Sequence, residues 1–163
     1  MISYRKASTN DLTSICAIGN EVHQIHHAAW PQIFAPVGSV ERDRAFWAKD
    51  IDTPNAATFV AERNTQIIGF IAVAVVTEAS SLMQPMTYGR IGSVSVTAEH
   101  RGKGVGRALV ALAEQWAATF GAVDMRLQVW TFNERAIALY EELGYSVRSH
   151  FLGRQLPTTE SGG

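Results

Sequence analysis

Between Val96 and Leu109 the chain reads VTAEHRGKGVGRAL, with Gly102, Gly104 and Gly106 set among Arg101, Lys103 and Arg107. Glycine at three alternate positions is costly unless the backbone needs left-handed conformations or a close approach to a ligand. Val105, Leu109, Leu112, Trp116 and Phe120 then recur as the apolar stripe of a helix. The first N–H groups of a helix have no partner inside it, and its macrodipole puts partial positive charge there. A glycine-rich, basic turn at that point is an anion site suited to a phosphate or pyrophosphate. It is not a P-loop, because Thr97 stands where the first glycine should be and no Ser or Thr follows Lys103. It is not a dinucleotide fingerprint either. The spacing is G-x-G-x-G, Asp124 precedes the next strand instead of ending it, and the turn lies deep in the chain.

The strand-like run before the turn carries a second signal. In YGRIGSVSV, Ile91 stands at an odd position whereas Val94 and Val96 stand at even ones. Alternation has slipped by one residue around Gly92-Ser93, and the simplest cause is a β-bulge in which the glycine absorbs the kink. Such a bulge would splay the strand from its neighbour and open unpaired backbone groups that lead down to the helix mouth. A long ligand with amides at one end and phosphates at the other fits that track. Coenzyme A, with its pantetheine arm and pyrophosphate, has this design.

Over these residues the chain resembles the GNAT superfamily of N-acetyltransferases. VSVTAEHRGKGVGRAL is similar to the family's coenzyme A segment, Q/R-x-x-G-x-G/A, through Arg101, Gly104 and Gly106. NERAIALYEELGY, from Asn133 to Tyr145, resembles the family helix N-x-x-A-x-x-x-Y-x-x-x-G-F/Y. The resemblance implies that backbone groups of Val94, Ser95 and Val96 pair with the pantetheine arm and grip the acetyl carbonyl. It implies that Arg101, Gly102, Lys103, Gly104, Val105, Gly106 and Arg107 wrap the pyrophosphate with main-chain N–H groups. Asn133 would touch the arm, and Tyr140 would reach the thioester sulfur. Ala98 stands where many members have proline, which changes the stiffness of the turn.

Acetyl transfer from a thioester to an amine makes three demands. The amine must be neutral, since an ammonium, with a pKa of about 10.4 in free lysine, has no lone pair to attack with. The oxyanion needs preset N–H donors. The leaving thiolate needs a proton or a hydrogen bond, and Tyr140, a neutral phenol at pH 7, suits that role. For the base, the strand offers only Gly92 and Ser93, near where many relatives place a glutamate. EVHQIHHAAW offers Glu21, His23, His26 and His27 instead, and imidazole titrates in the range the task needs, directly or through water. His23, His27 and Trp30 share one helical face and, with Phe34 nearby, are expected to wall the acceptor site, while His26 lies nearer the apolar stripe. Cys16, among Leu12, Ile15 and Ile18, reads as a small core residue and gives no reason for a covalent intermediate.

The elements that must position these groups are legible around them. ISYR predicts a first strand, and STNDL caps a helix with apolar residues from Leu12 to Ala29 that Trp30-Pro31 ends. A second helix is expected over Val40 to Lys49. ATFVAE and QIIGFIAVAVV flank RNT as a β-hairpin. EASSLMQPM, from Glu78 to Met86, reads as loop. Strands follow at Tyr88 to Val96, at MRLQVW and at YSVRSHFL, with Gly121 and Gly144 closing the two later helices. The predicted fold is α/β: a mixed, mostly antiparallel twisted sheet with helices on both faces, the acyl-CoA N-acyltransferase fold. One N-acetyltransferase domain is expected over 2–156 and a flexible tail over 157–163.

Bulk properties agree with that reading. The chain has 163 residues, 47% of them apolar, enough for one domain with a real core. A net charge of −1 argues against a nucleic-acid partner. The longest apolar run, Ile67 to Val76, is far short of a bilayer span, so no membrane association is expected. One cysteine allows no internal disulfide, and with no signal peptide visible the expected location is cytoplasmic. The expected activity is an acetyl-CoA-dependent N-acetyltransferase, an acyltransferase that passes acetyl directly to a primary amine on a small molecule or peptide and uses no metal. The alternatives are transfer of another acyl group and a non-enzymatic CoA-binding or sensing module. A homodimer is left open.

Overall fold

The apolar run from Ile67 to Val76 forms the centre of a sheet whose two faces are both covered, which is why it shows no alternation. The computed structural model describes residues 1–159, so the last residues of the expected tail, 160–163, lie outside the described part. Among the described residues the order is β1 (Ser3–Lys6), α1 (Leu12–Ala29), α2 (Val40–Ala48), β2 (Ala56–Arg63), β3 (Gln66–Ser80), β4 (Met83–Val96), α3 (Val105–Thr119), β5 (Asp124–Leu127) and α4 (Glu134–Glu142). The strands lie in sequence order, β1 to β4 pairing antiparallel and β5 parallel to β4 after the α3 crossover. This is the mixed, mostly antiparallel architecture that the element order predicts.

Side chains of β2 alternate between opposite layers, and those of β3 do so with the alternation reset by a bulge at Ile68. Ala57, Phe59, Ala61, Ile71 and Val73 pack on Val105, Leu109, Val110 and Ala113 of α3. Val60, Ile67 and Phe70 pack on Leu12, Ile15 and Ile18 of α1. Full burial of each large side chain contributes about 1.5–3 kcal/mol, so these stripes hold the helices to the two faces. Cys16 is buried in this core as expected. Gly19 lets α2 come close, because a Cβ there would run into the Trp47 indole. Arg5 donates to both oxygens of Asp11, at 2.8 and 2.9 Å, and to Glu62 of β2, tying the start of α1 to the sheet.

Two expectations fail for want or gain of a ladder partner. Glu78 to Met86 is mostly strand: β3 and β4 run on together as far as Ser80 and Met83, with Thr77 opposite Thr87 and their hydroxyls 3.0 Å apart. Their polar side chains suit a solvated hairpin as well as a loop. YSVRSHFL is not a strand. The chain turns at Gly144 (φ 92°), Tyr145 donates to Glu114 at 2.7 Å and Arg148 grips Asp124, but among the described residues no backbone ladder forms beyond. Val147, Phe151 and Leu152 are left exposed.

Candidate active site

The slip in β4 is a bulge. Ile91 lies opposite Val73 and Ser93 opposite Ala72, so Gly92 has no counterpart in β3. On its other side β4 pairs with β5 only from Tyr88 to Ile91, and β5 ends at Leu127, short of the expected MRLQVW strand, where the bulge removes its partner. The β4 edge from Ser93 to Val96 therefore faces no strand on the β5 side. The bulge also sets which side chains face which layer. Ile91, Val94 and Val96 pack with the α3 core. Tyr88, Arg90, Ser93 and Ser95 take the other face, in register with Val76, Ala74, Ala72 and Phe70. A cleft of about 750 Å³ opens there between α1, α2, the splayed strands and α4.

The glycine turn lies at the foot of the splayed edge. Gly102 (φ 72°) and Gly104 (φ 83°) are left-handed, and a Cβ on either would meet nothing within 4 Å. Glycine is required by backbone conformation, and the space above it is open. The first bond of α3 runs from the Ala108 N–H to the Gly104 carbonyl at 3.0 Å, so the N–H groups of Val105, Gly106 and Arg107 precede it without intrahelical partners. These free donors, the open concavity and the helix dipole fit a diphosphate. The side-chain charges are engaged differently: Arg101 Nε donates to the Val96 carbonyl at 2.9 Å, tying turn to strand, and Arg107 pairs with Glu142 at 2.7 Å. Lys103 is exposed.

Tyr140 lines the cleft beside Val94 and Ser95, and its hydroxyl has no hydrogen-bond partner among the described residues. Burial pushes its pKa up to about 12, so the phenol stays a proton donor across the neutral range. Asn133 also lines the cleft while its side-chain oxygen caps α4 by accepting from the Ala136 N–H at 3.3 Å.

The histidines divide otherwise than the helical wheel suggests. His23 and His26 line the cleft, but His27 and Trp30 do not. His27 Nδ1 bonds the Phe34 carbonyl at 2.6 Å and His23 Nε2 the Ala35 carbonyl at 2.7 Å, so both hold the loop after α1. Because a carbonyl can only accept, each of these nitrogens carries the proton and the other ring nitrogen of His23 is basic. His26 Nδ1 likewise donates to the Val22 carbonyl at 2.8 Å, leaving Nε2 as its basic atom. The His26 ring stands edge-on to Phe34 and Phe132 at 5.0 and 5.1 Å, and Phe34 to Trp130 at 4.9 Å. Sequence reasoning also missed Arg90, Asp43, Trp47 and Trp130 as cleft residues. For Arg90 the signal was present, since the same alternation slip puts it on the face of Ser93 and Ser95.

A β4 edge without a partner on the β5 side, unpartnered N–H groups at the mouth of α3 and a buried phenol in the cleft are what the structure offers a ligand. The profile of the acetyltransferase (GNAT) family matches residues 20–145, and the chain belongs to that family. It is 30% identical over 112 residues to N-acetyltransferase family 8 member 2 of Rattus norvegicus, which covers 69% of this chain and 48% of that protein. The chain thus spans about half the length of this curated relative. Among solved structures, a mutant of the BH1408 protein from Bacillus halodurans superposes with a TM-score of 0.85 at 22% identity, covering 95% of this chain and 99% of that one. AAC(6')-Iy in complex with a bisubstrate analog superposes at 0.73 with 14% identity, covering 97% and 99%. These structural likenesses are of fold. No described helix is long and apolar enough to cross a membrane.

Proposed function

We propose that the chain is an acetyl-coenzyme A-dependent N-acetyltransferase of the cytoplasm that passes acetyl directly to a primary amine. The observation that carries this reading is the absence of a β5-side partner for β4 past Ile91, on the strand that leads to the free N–H groups of the α3 mouth. Acetyl-coenzyme A would supply a thioester whose carbonyl carbon accepts the amine. The unpaired edge of Val94, Ser95 and Val96 offers N–H and C=O groups to the pantetheine amides, with an N–H left to polarise the acetyl carbonyl. The 101–107 turn holds the diphosphate with main-chain donors, and the Asn133 amide nitrogen, free of its capping role, can donate to the arm. Tyr140 donates its proton toward the sulfur as the thiolate leaves. The basic nitrogen of His23 or His26 removes a proton from the amine, directly or through water. No metal and no covalent enzyme intermediate enter this scheme, and the acceptor is a small molecule or peptide.

Titration calorimetry with acetyl-coenzyme A, followed by thiol release with a panel of amines, tests the reading. Binding together with amine-dependent thiol release is the expected result. Binding without turnover on any acceptor would turn the chain into a coenzyme A sensor, and no heat with any acyl-coenzyme A would remove the site. Parallel assays with propionyl- and succinyl-coenzyme A decide the acyl group.

A further inference from the structure

We propose that the acceptor is a small amine that also carries a carboxylate, and that Arg90 binds this carboxylate. The inference deepens the transferase reading and rests on it. Three arginines are among the residues that line the cleft, Arg42, Arg90 and Arg126. Arg42 is bound to Asp43 at 2.8 Å and to the Pro36 carbonyl at 3.0 Å. Arg126 is bound to Asp124 at 3.0 Å, reaches Glu78 at 3.4 Å and stacks on the Tyr88 ring at 3.9 Å. Arg90 has neither an ion pair nor a side-chain hydrogen bond among the described residues. Asp50 feels its charge without bonding to it, and burial pushes the Asp50 carboxyl up toward its neutral form.

The placement of Arg90 makes its solitude informative. Arg90 and Arg126 are in register across the parallel β4–β5 pair, on the face that looks into the cleft. Like charges opposed across a ladder repel, and an anion seated on Arg90 offsets that repulsion. Asp43, the carboxylate that lines the cleft, already accepts from Arg42 and from the Gly38 N–H at 3.1 Å, so the side-chain charges left over are positive.

Along β4 the bulge places Arg90 and Ser93 opposite Ala74 and Ala72, two residues apart on β3, so they lie about 7 Å apart at ~3.3 Å per residue, a distance the long arginine arm can span. An amine at the splay by Ser93 and a carboxylate toward Arg90 therefore belong to one small molecule. Its remaining side chain meets Phe34, Trp130 and His26, an aromatic flank that favours an apolar or aromatic group. A planar guanidinium matches a carboxylate with two parallel hydrogen bonds, which a neutral amide cannot reproduce.

The experiment compares phenylalanine with phenylalanine amide as acceptors for wild type and Arg90→Ala, and calorimetry with coenzyme A reports that the exposed-site variant has folded. The kcat/KM ratio of acid over amide is expected to fall about ten- to a hundred-fold in Arg90→Ala, the range of a charge-assisted hydrogen bond, with partial recovery in Arg90→Lys. An unchanged ratio overturns the assignment. Binding of N-acetylphenylalanine and of its amide to the complex with coenzyme A gives a readout free of turnover. Equal affinities sink the carboxylate site, whereas an Arg90-dependent preference for the acid with no acetylation of either amine sinks the transferase reading and leaves the site standing. A phenylalanine-led dipeptide in the same assays separates a free amino acid from a short peptide as the source of the carboxylate.

Discussion

Tyr140 and Gly104 would stand at opposite ends of the proposed ligand track, and changes at them are expected to fail in different ways. Tyr140 projects from α4 into the cleft, and burial alone raises its pKa to about 12. A phenol that stays protonated can stabilise a leaving thiolate throughout the neutral and mildly alkaline range. Tyr140→Phe keeps the ring packing and removes the proton, so kcat is expected to fall by roughly 10²–10⁴ with little change in the affinity for acetyl-coenzyme A. Steady-state kinetics beside calorimetry separate the two effects, and unchanged turnover would take the acid role from this residue. Gly104 is a problem of shape and charge together. At φ 83° any side chain is strained by about 1–2 kcal/mol, and a glutamate would also put an anion among donors meant for one. Gly104→Glu should lose measurable heat with acetyl-coenzyme A while its thermal midpoint moves by only a few degrees. Normal affinity in that variant is the result that refutes the cradle.

At the scale of elements, the wall of the cleft depends on how closely α1 and α2 meet. Gly19 sits against the Trp47 indole, which stands edge-on to Phe46 at 4.9 Å and to Phe70 at 5.4 Å and so has little freedom to give way. Gly19→Leu therefore overpacks the contact and should cost about 1–3 kcal/mol, read as several degrees in the thermal midpoint. Because Trp47 lines the cleft, KM for the acceptor should rise more than kcat falls. A variant as stable as wild type would mean that the helices separate without strain. These same elements show what was readable beforehand. The stripes of α1, α3 and α4, the Asn64-Thr65 turn and the slip at Gly92 were all written as local periodicity or turn chemistry. The β3–β4 hairpin and the unpaired YSVRSHFL segment were not, because a strand exists only through a partner that local sequence does not reveal. His26, expected nearer the apolar stripe, lines the cleft and His27 does not, while His27 and His23 both hold carbonyls of the loop after α1, contacts that helical periodicity does not show.

For the molecule as a whole, two carboxylates fasten its ends, and they make its stability depend on acid in a definite direction. Asp11 is held at a pKa of about 2 chiefly by its hydrogen bonds to Arg5, with burial opposing and Ser8 assisting. Asp124 is held at about 2 by Arg148 and then Arg126, with burial again opposing, and so secures the segment after α4 to β5. Both values lie below the ordinary 3.8, so each group binds its proton more weakly folded than unfolded. The stabilisation is therefore complete above about pH 4 and is lost as pH falls toward 2. For Asp11 the full shift corresponds to about 2 kcal/mol, but the Arg5 side chain is 43% exposed and screened, which reduces the expected contribution to about 1 kcal/mol. Thermal melts between pH 7 and pH 2 should show the midpoint of wild type falling steeply in the last two units. Asp11→Asn should begin lower at pH 7 and fall less, because the group that titrates has gone. Parallel curves for the two proteins would mean that Asp11 ionises folded as it does unfolded, and that the tie between β1 and the start of α1 has some other source.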